Sequence, residues 1–589
     1  MFDVSALTPE SISSLDLERR LDGVAARECH AYAMALTKAL DEENDEAIKS
    51  TLRFVVQVLS MAFRPWSPNE PFGALWEIDD HRSMIPTDLP KEWLKSLTPW
   101  ALALNDAELR SRFLDVIWLQ ARDFKAAQAA IGAYVEAAGQ LGDAEVSDVL
   151  VAQRYERALR LATSLGRGAL AERAQVLQAV DALLLSPVPP HQHVLWKLVP
   201  FLLDSGHGEP ASYAAVAEGL AARHHKEGKF WIAKDLHELA ARCYQAANDE
   251  VNRESQNRLA AESLVSEAEA AHQQGRGAAA ASSILSQAVN MLRQAGGGRD
   301  RIDALHSRVL ELQKSSVDEL QGFRVEQDAS QHVQRALAAI DGKPMRDAII
   351  TFALMSKPPL VTDLISAVHE RAKKEVLGSL APMDIINARG QVVAKLPALE
   401  PASTNIEDAG LRGRVFRLAG ERRSMLVQVV INPVRRRVVE LHAPTPQDLL
   451  ALVSASPWVP SDHTSTVVRA LIAGFYLDME VAATLVPIQI EALVRHVVKA
   501  QGGATTMLDA ERIQQEKPLG PLLEMPEAVK AFGQAGILEM QDLLTEAIGS
   551  NLRNEASHGL LTDEGCYSTQ PLYAWWLLLR YALLPGLLP

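Results

Sequence analysis

Along the first 200 residues, apolar side chains recur near a 3.6-residue period, in blocks separated by PWSPNEPFG (65–73), PTDLP (86–90) and SPVPP (186–190). This pattern predicts helices over 45–63, 106–121, 124–139 and 145–164. In the last of them Val149, Val151, Tyr155, Leu159 and Ala162 approximate one stripe. From about 208 to 320 the predicted helices become long, Ala-rich and paired. Phe230, Trp231, Leu236, Leu239, Ala240, Cys243 and Tyr244 mark one, and Leu259, Ala260, Leu264, Ala268 and Ala271 the next. Ile284, Ala288 and Leu292 precede the GGG at 296–298; Ile302, Leu305, Val309 and Leu312 follow it.

Helical hairpins of this size resemble tetratricopeptide-type solenoids in architecture, without a fixed-period signature. They bind a peptide, dock another domain or form an irregular helical domain. Further on, MDIINARGQVVAKLP (383–397) alternates around a Gly turn and predicts a short hairpin, while MLVQVVI (425–431) is too short to assign by periodicity. After SPWVPSDHT (456–464), the pattern is clearest. Val468, Leu471, Ile472, Phe475 and Met479 give one amphipathic helix. Pro487 opens a second at its first position, with Ile490, Leu493, Val494 and Val497 on one face. Ile537, Met540, Leu544 and Ile548 give a third that ends at a Gly549 C-cap. Pro571 opens the fourth, with Trp575, Leu578, Leu579 and Ala582. Four such helices make a bundle.

The expected fold is therefore mainly α, in four segments. These are an N-terminal helical domain (1–205), a helical-hairpin region (206–375), a connecting segment (376–445) and a C-terminal bundle (446–589). A length of 589 residues is too much for one hydrophobic core, and 5% aromatic content argues against an all-β sandwich. Cys29, Cys243 and Cys566 lie far apart, which excludes a disulfide scaffold and points to a reducing, cytoplasmic setting. Asp3, Glu10, Asp16 and Glu18 near the start argue against a secretory signal. No stretch of eighteen apolar residues is uninterrupted; the closest, LYAWWLLLRYALLPGLLP (572–589), reads as a buried last helix, so no membrane partner is expected.

The net charge of −15 hides a split. Residues 371–445 hold 13 Lys and Arg against 7 Asp and Glu, whereas residues 446–589 hold 8 against 16. The basic segment engages either phosphates or the acidic neighbours of its own chain.

Between the third and fourth bundle helices lies NLRNEASHGLL (551–561), whose polar groups packing alone does not require. Cleavage of an RNA phosphodiester needs a base for the 2′-hydroxyl, an acid for the 5′-oxygen and a cation on the non-bridging oxygens. Histidine serves as acid or base near neutral pH, and arginine offers a permanent forked cation. His558 and Arg553 fit those roles, with Asn554 as a positioning group. The same residues also suit a helix cap with a satisfied polar cluster, or nucleotide binding without catalysis.

Arg553-Asn554-x-x-x-His558-Gly559 resembles the R-N-x-x-x-H-G signature of the family that includes the endoplasmic-reticulum membrane-associated RNA degradation protein. It also resembles the R-x4–6-H pattern of the HEPN (higher eukaryotes and prokaryotes nucleotide-binding) ribonucleases. PIQIEALVRHVVKAQGG (487–503) is similar to the helix before that motif, and the resemblance spans about 446–584. It implies a metal-independent endoribonuclease acting on RNA. Two chains would pair through the bundle so that Arg553 and His558 of each build a composite cleft. A role as bacterial toxin or antiviral effector is also implied.

Glu491 and Arg495 form an i, i+4 pair that is either solvated or turned toward the motif, and Gly559 completes the signature. Cys566 lacks a thiol-activating context. His191, His193, His207, His224 and His225 lack metal-ligand spacing, so neither metal nor cofactor is expected. Gly166-x-Gly168 follows a helical pattern and GKPMR (342–346) lacks a phosphate-loop glycine, so neither marks a nucleotide site. The best-supported expectation is a ribonuclease governed by its N-terminal helices, with a protein partner on 206–375. The alternative is a scaffold with a silent bundle.

Overall fold

The computed structural model describes residues 7–78, 81–143, 147–188, 191–320, 326, 328–375, 381–508 and 512–587. Asp3, Pro189, Pro190, the helix start at 145, the segment boundary at 376 and the last two residues lie outside them. The protein is mainly α, with only short two-stranded antiparallel pairs among the described residues. Its contacts divide it into two compact units, Met1–Ser316 and Val317–Pro589.

In the first unit, helices Ala107–Ala121, Phe124–Asp143 and Asp148–Leu165 pack side by side. The predicted helix from 45 stops at Leu59, and Ala62–Phe63 pairs instead with Phe72–Gly73. The stripe on Asp148–Leu165 is only partly right. Val151, Tyr155, Leu159 and Ala162 are buried, but Val149 is exposed, while Arg154 and Arg157 are buried. The reason is polar satisfaction. Arg157 forms a two-pronged bond to Asp115 at 2.7 and 2.8 Å, Tyr134 donates to the same carboxylate at 2.8 Å, and Arg154 grips Glu108. Buried charges persist where each has such partners.

The paired helices follow as expected: Pro210–Lys226, Phe230–Ala246, Glu250–Gln273, Ala278–Gln294 and Arg299–Asp318. Alanines at their contacts, among them Ala260, Ala268, Ala281 and Ala288, are fully buried. Trp231 and Leu259, which mark two of these helices in the sequence, are exposed. Glu262–Arg301 and Glu269–Arg308 bridge the outer surface between helices.

The core of the second unit runs from Ile340 to Leu583, so the basic stretch and the bundle share it. The hairpin forms as predicted, Met383–Ile386 against Val392–Leu396, with Gly390 in the left-handed region. MLVQVVI is helical. Ala409–Leu426 passes through a wider π turn, Val427–Ile431, into Asn432–His442. The helix Thr569–Leu583 is buried from Pro571 to Leu583. Trp575 and Trp576 donate from it to the carbonyls of Leu471 (2.9 Å) and Phe352 (3.0 Å).

Two element boundaries differ from expectation. Pro487 does not open a helix; it sits inside Met479–Ala500, which starts at an Asp478 cap. Met479 belongs to that helix and not to Thr464–Phe475. A mid-helix proline forfeits one backbone bond at a cost of about 3 kcal/mol. Burial of Ala482, Ala483, Val486 and Ile490 along the same helix offsets it. Gly549 is likewise no C-cap. The third helix, Pro526–Met540, ends through a π turn, Gln541–Thr545, so Ile548 lies outside it. Gly549 is required by contact, because a Cβ there would lie 2.1 Å from the Asp542 carbonyl oxygen.

Among the described residues one helix, Met479–Ala500, is long and apolar enough to cross a membrane by length and composition, and 56% of its apolar window is buried within the protein.

Candidate functional site

The motif begins with backbone geometry. Asn551 adopts the left-handed conformation (φ 47°), which asparagine tolerates better than most residues, and its carbonyl accepts from the Asn554 and Glu555 amides at 3.0 Å. Leu552 buries into the core and anchors the short helix Leu552–Ser557 beside Met479–Ala500. Arg553 therefore meets Glu491, its Nε donating to Glu491 Oε2 at 2.8 Å. Arg495 Nη2 donates to the other oxygen of Glu491 at 2.8 Å, and Arg495 Nη1 reaches Glu516 at 2.7 Å. Arg553 Nη1 donates to Asn554 Oδ1 at 3.3 Å, and Asn554 Nδ2 to Asn551 Oδ1 at 2.7 Å. The structure thus joins Arg553, Asn554, Glu491 and Arg495 in one network. Among the described residues, the outer amine Nη2 of Arg553 has no partner.

His558 stands apart from this network. It is the C-cap of the motif helix, exposed, its amide bonded to the Asn554 carbonyl at 3.0 Å. Its ring has no hydrogen bond among the described residues, and none joins it to Arg553. Gly559 (φ 65°) then reverses the chain, which lets Leu560 donate its amide to the Glu555 carbonyl at 2.8 Å. Arg389, on the turn of the hairpin, donates to the Leu560 carbonyl at 3.4 Å and sets a cation beside the motif loop.

Behind the motif lies a cluster that sequence reasoning missed. Arg423 Nη1 donates to Asp542 Oδ2 at 2.7 Å, and Tyr573 donates to Glu539. All four are buried. Burial pushes the Asp542 carboxyl up to about 6 despite Arg423, and raises Glu539 above the usual carboxylate range. Asp542 also shapes the approach to the motif: its carbonyl accepts from the Ser550 amide at 2.8 Å, and Gly549 lies against it. The one sequence signal was polar residues on a helix otherwise patterned for burial.

Other candidates resolve into structural roles. Arg412 pairs with Glu546, Arg423 with Asp542, Arg437 with Asp341 and Arg371 with Glu421, so much of the basic segment answers acids of its own unit. Arg389, Arg422 and Arg436 have no ion pair among the described residues. Cys566 is buried and its thiol is pushed up by that burial, the reverse of an activated nucleophile. His191 caps Gln192–Ser205, and His224 and His225 bond to Gln192 and Ser266. Gly168 packs beneath the Phe124 ring.

Residues 3–174 match the model of a family described as a domain of unknown function, DUF7380. That match lies within the first unit and does not extend to the motif. No curated protein matches the chain.

Proposed function

We propose that residues 446–589 act as a metal-independent endoribonuclease of the HEPN kind, working as a homodimer. The observation that carries this reading is the exposed imidazole of His558, without a partner among the described residues, at the end of a helix whose first turn presents Arg553, braced by Glu491. In the proposed reaction one imidazole takes the proton of an RNA 2′-hydroxyl, and the 2′-oxygen bonds to phosphorus. The bond from phosphorus to the 5′-oxygen breaks, and a second, protonated imidazole gives its proton to that leaving oxygen. Arg553 holds the non-bridging oxygens, a contribution of around 3 kcal/mol in comparable sites. In the proposed dimer, Arg553 and His558 of each subunit line one composite cleft, which thereby holds both imidazoles. Arg389 offsets the acidic balance of the bundle near the cleft. The N-terminal helices hold this activity in check or trigger it, with residues 206–375 as the surface for a protein partner, as befits a toxin or antiviral effector. We take the protein as cytoplasmic, in keeping with three unpaired, buried cysteines.

The test is incubation of purified full-length protein with single-stranded and structured RNA, with chelator present. Wild type is expected to leave 2′,3′-cyclic phosphate ends, and His558→Ala and Arg553→Ala to lose about 100-fold or more. Equal background in all three overturns the proposal. A second reading, a silent bundle whose motif is a polar cap, draws support from the engagement of Arg553 with Glu491 and Asn554. It predicts that Arg553→Ala loses stability with no activity to lose.

A further inference from the structure

The first unit contains a cleft of about 600 Å³, lined among others by Arg64, Arg82, Lys91 and Arg122. These four cations outnumber the two carboxylates that line the same surface, Glu70 and Glu77, so the cleft favours a negative ligand. Arg82 has its own counterion, gripping Asp88 at 2.6 and 2.8 Å. Among the described residues, Arg64, Lys91 and Arg122 have no carboxylate partner. All three are exposed, and two of them lie against neighbouring groups. The Arg64 guanidinium lies across Gly73, so closely that a Cβ there would sit 2.5 Å from its Cζ. Arg122 caps Ala107–Ala121 in the left-handed region (φ 56°), and its guanidinium lies 5.3 Å from the Trp118 ring centre. An exposed guanidinium with no carboxylate partner among the described residues is open to a forked bond with an oxyanion.

The rest of the lining defines the ligand. Pro71, Phe72 and Ile85 supply an apolar wall, and Asn69 and Glu70 supply acceptors for hydroxyl groups. The volume falls within the range of small-molecule sites. Glu70 and Glu77 line the same cleft and disfavour an extended polyanion such as RNA. We propose that this cleft binds a small hydroxylated organic phosphate, its phosphoryl group on Arg64, Lys91 and Arg122 and its organic body along Pro71, Phe72 and Ile85. Such a ligand makes the first unit a metabolite sensor, independent of whether the second unit cleaves RNA.

Isothermal titration of the full-length chain tests this with adenosine 5′-monophosphate, glucose 6-phosphate, adenosine, inorganic phosphate and a 20-nucleotide RNA. The two organic phosphates distinguish a nucleotide from a sugar phosphate. We expect one of them to bind more tightly than adenosine or inorganic phosphate. Arg64→Gln with Arg122→Gln should weaken it roughly tenfold or more, and Lys226→Gln, on an exposed position elsewhere in the unit, should leave it unchanged. Lys91→Gln gives a second reading should the double variant lose its helical circular dichroism. Absence of binding by both organic phosphates overturns the proposal, as does binding unaffected by the Arg64, Lys91 and Arg122 variants. Binding of RNA alone with the same sensitivity also overturns it and makes the cleft a polynucleotide site.

Discussion

Asp542 is an acid whose burial outweighs its attraction to Arg423, and this has a definite sign. Its folded-state value of about 6 lies above the ordinary 3.8, so between those values the folded protein holds a proton that the unfolded chain has released. Stability from this group is complete below about pH 4 and is lost as pH rises through about 6, by on the order of 3 kcal/mol at most. Asp542→Asn, fixed in a neutral form, should therefore gain on wild type over that window, measured by urea denaturation at pH 4 and pH 7. A variant that loses ground instead would show that Arg423 holds the carboxylate ionised. His558 and Arg553 illustrate the other residue-scale lesson. The motif spacing was visible in sequence, but that Glu491 would brace Arg553 from 62 residues away was no more than one of two options for an i, i+4 pair.

At the scale of elements, glycines separate crossing points from idle positions. Gly474 ends Thr464–Phe475 against the last helix, and a Cβ there would lie 2.2 Å from the buried Trp575 ring, which is tethered to Leu471. Gly474→Ala should cost about 1–3 kcal/mol, since a fixed indole in a packed core has little room to shift. Gly219, in the middle of Pro210–Lys226, is exposed with nothing near its absent side chain. Gly219→Ala should instead stabilise by roughly 0.5–1 kcal/mol through helix propensity. Thermal unfolding of the two variants checks both signs. Pro487 belongs to this scale too. Its local preference for a helix start lost to the burial of the apolar run on both sides of it.

For the whole molecule, the second unit has a core drawn from Ile340 to Leu583 and a buried ion pair, Arg423–Asp542, that closes within it. A fragment spanning 317–589 should accordingly fold alone, with helical circular dichroism and one cooperative urea transition. A fragment lacking both would mean that the first unit supplies part of its stability. The charge split acquires a physical meaning at this scale: Arg412, Arg423, Arg437 and Arg371 meet acids of the same unit, while the exposed Arg389, Arg422 and Arg436 are among those with no ion pair among the described residues.

Helix type, the paired Ala-rich hairpins and the 383–397 turn were legible because periodicity and turn chemistry act over a few residues; the short helix Leu552–Ser557 was not, since the motif read as a junction between helices. Which polar groups would be buried was not legible either. Arg157 with Asp115 and Arg423 with Asp542 are each set by chain segments that meet only after folding. A charge in a sequence reads as solvent-facing until its counterion is found. Local order follows from neighbours in the chain, and the chemistry of buried and converging charge follows from neighbours in space.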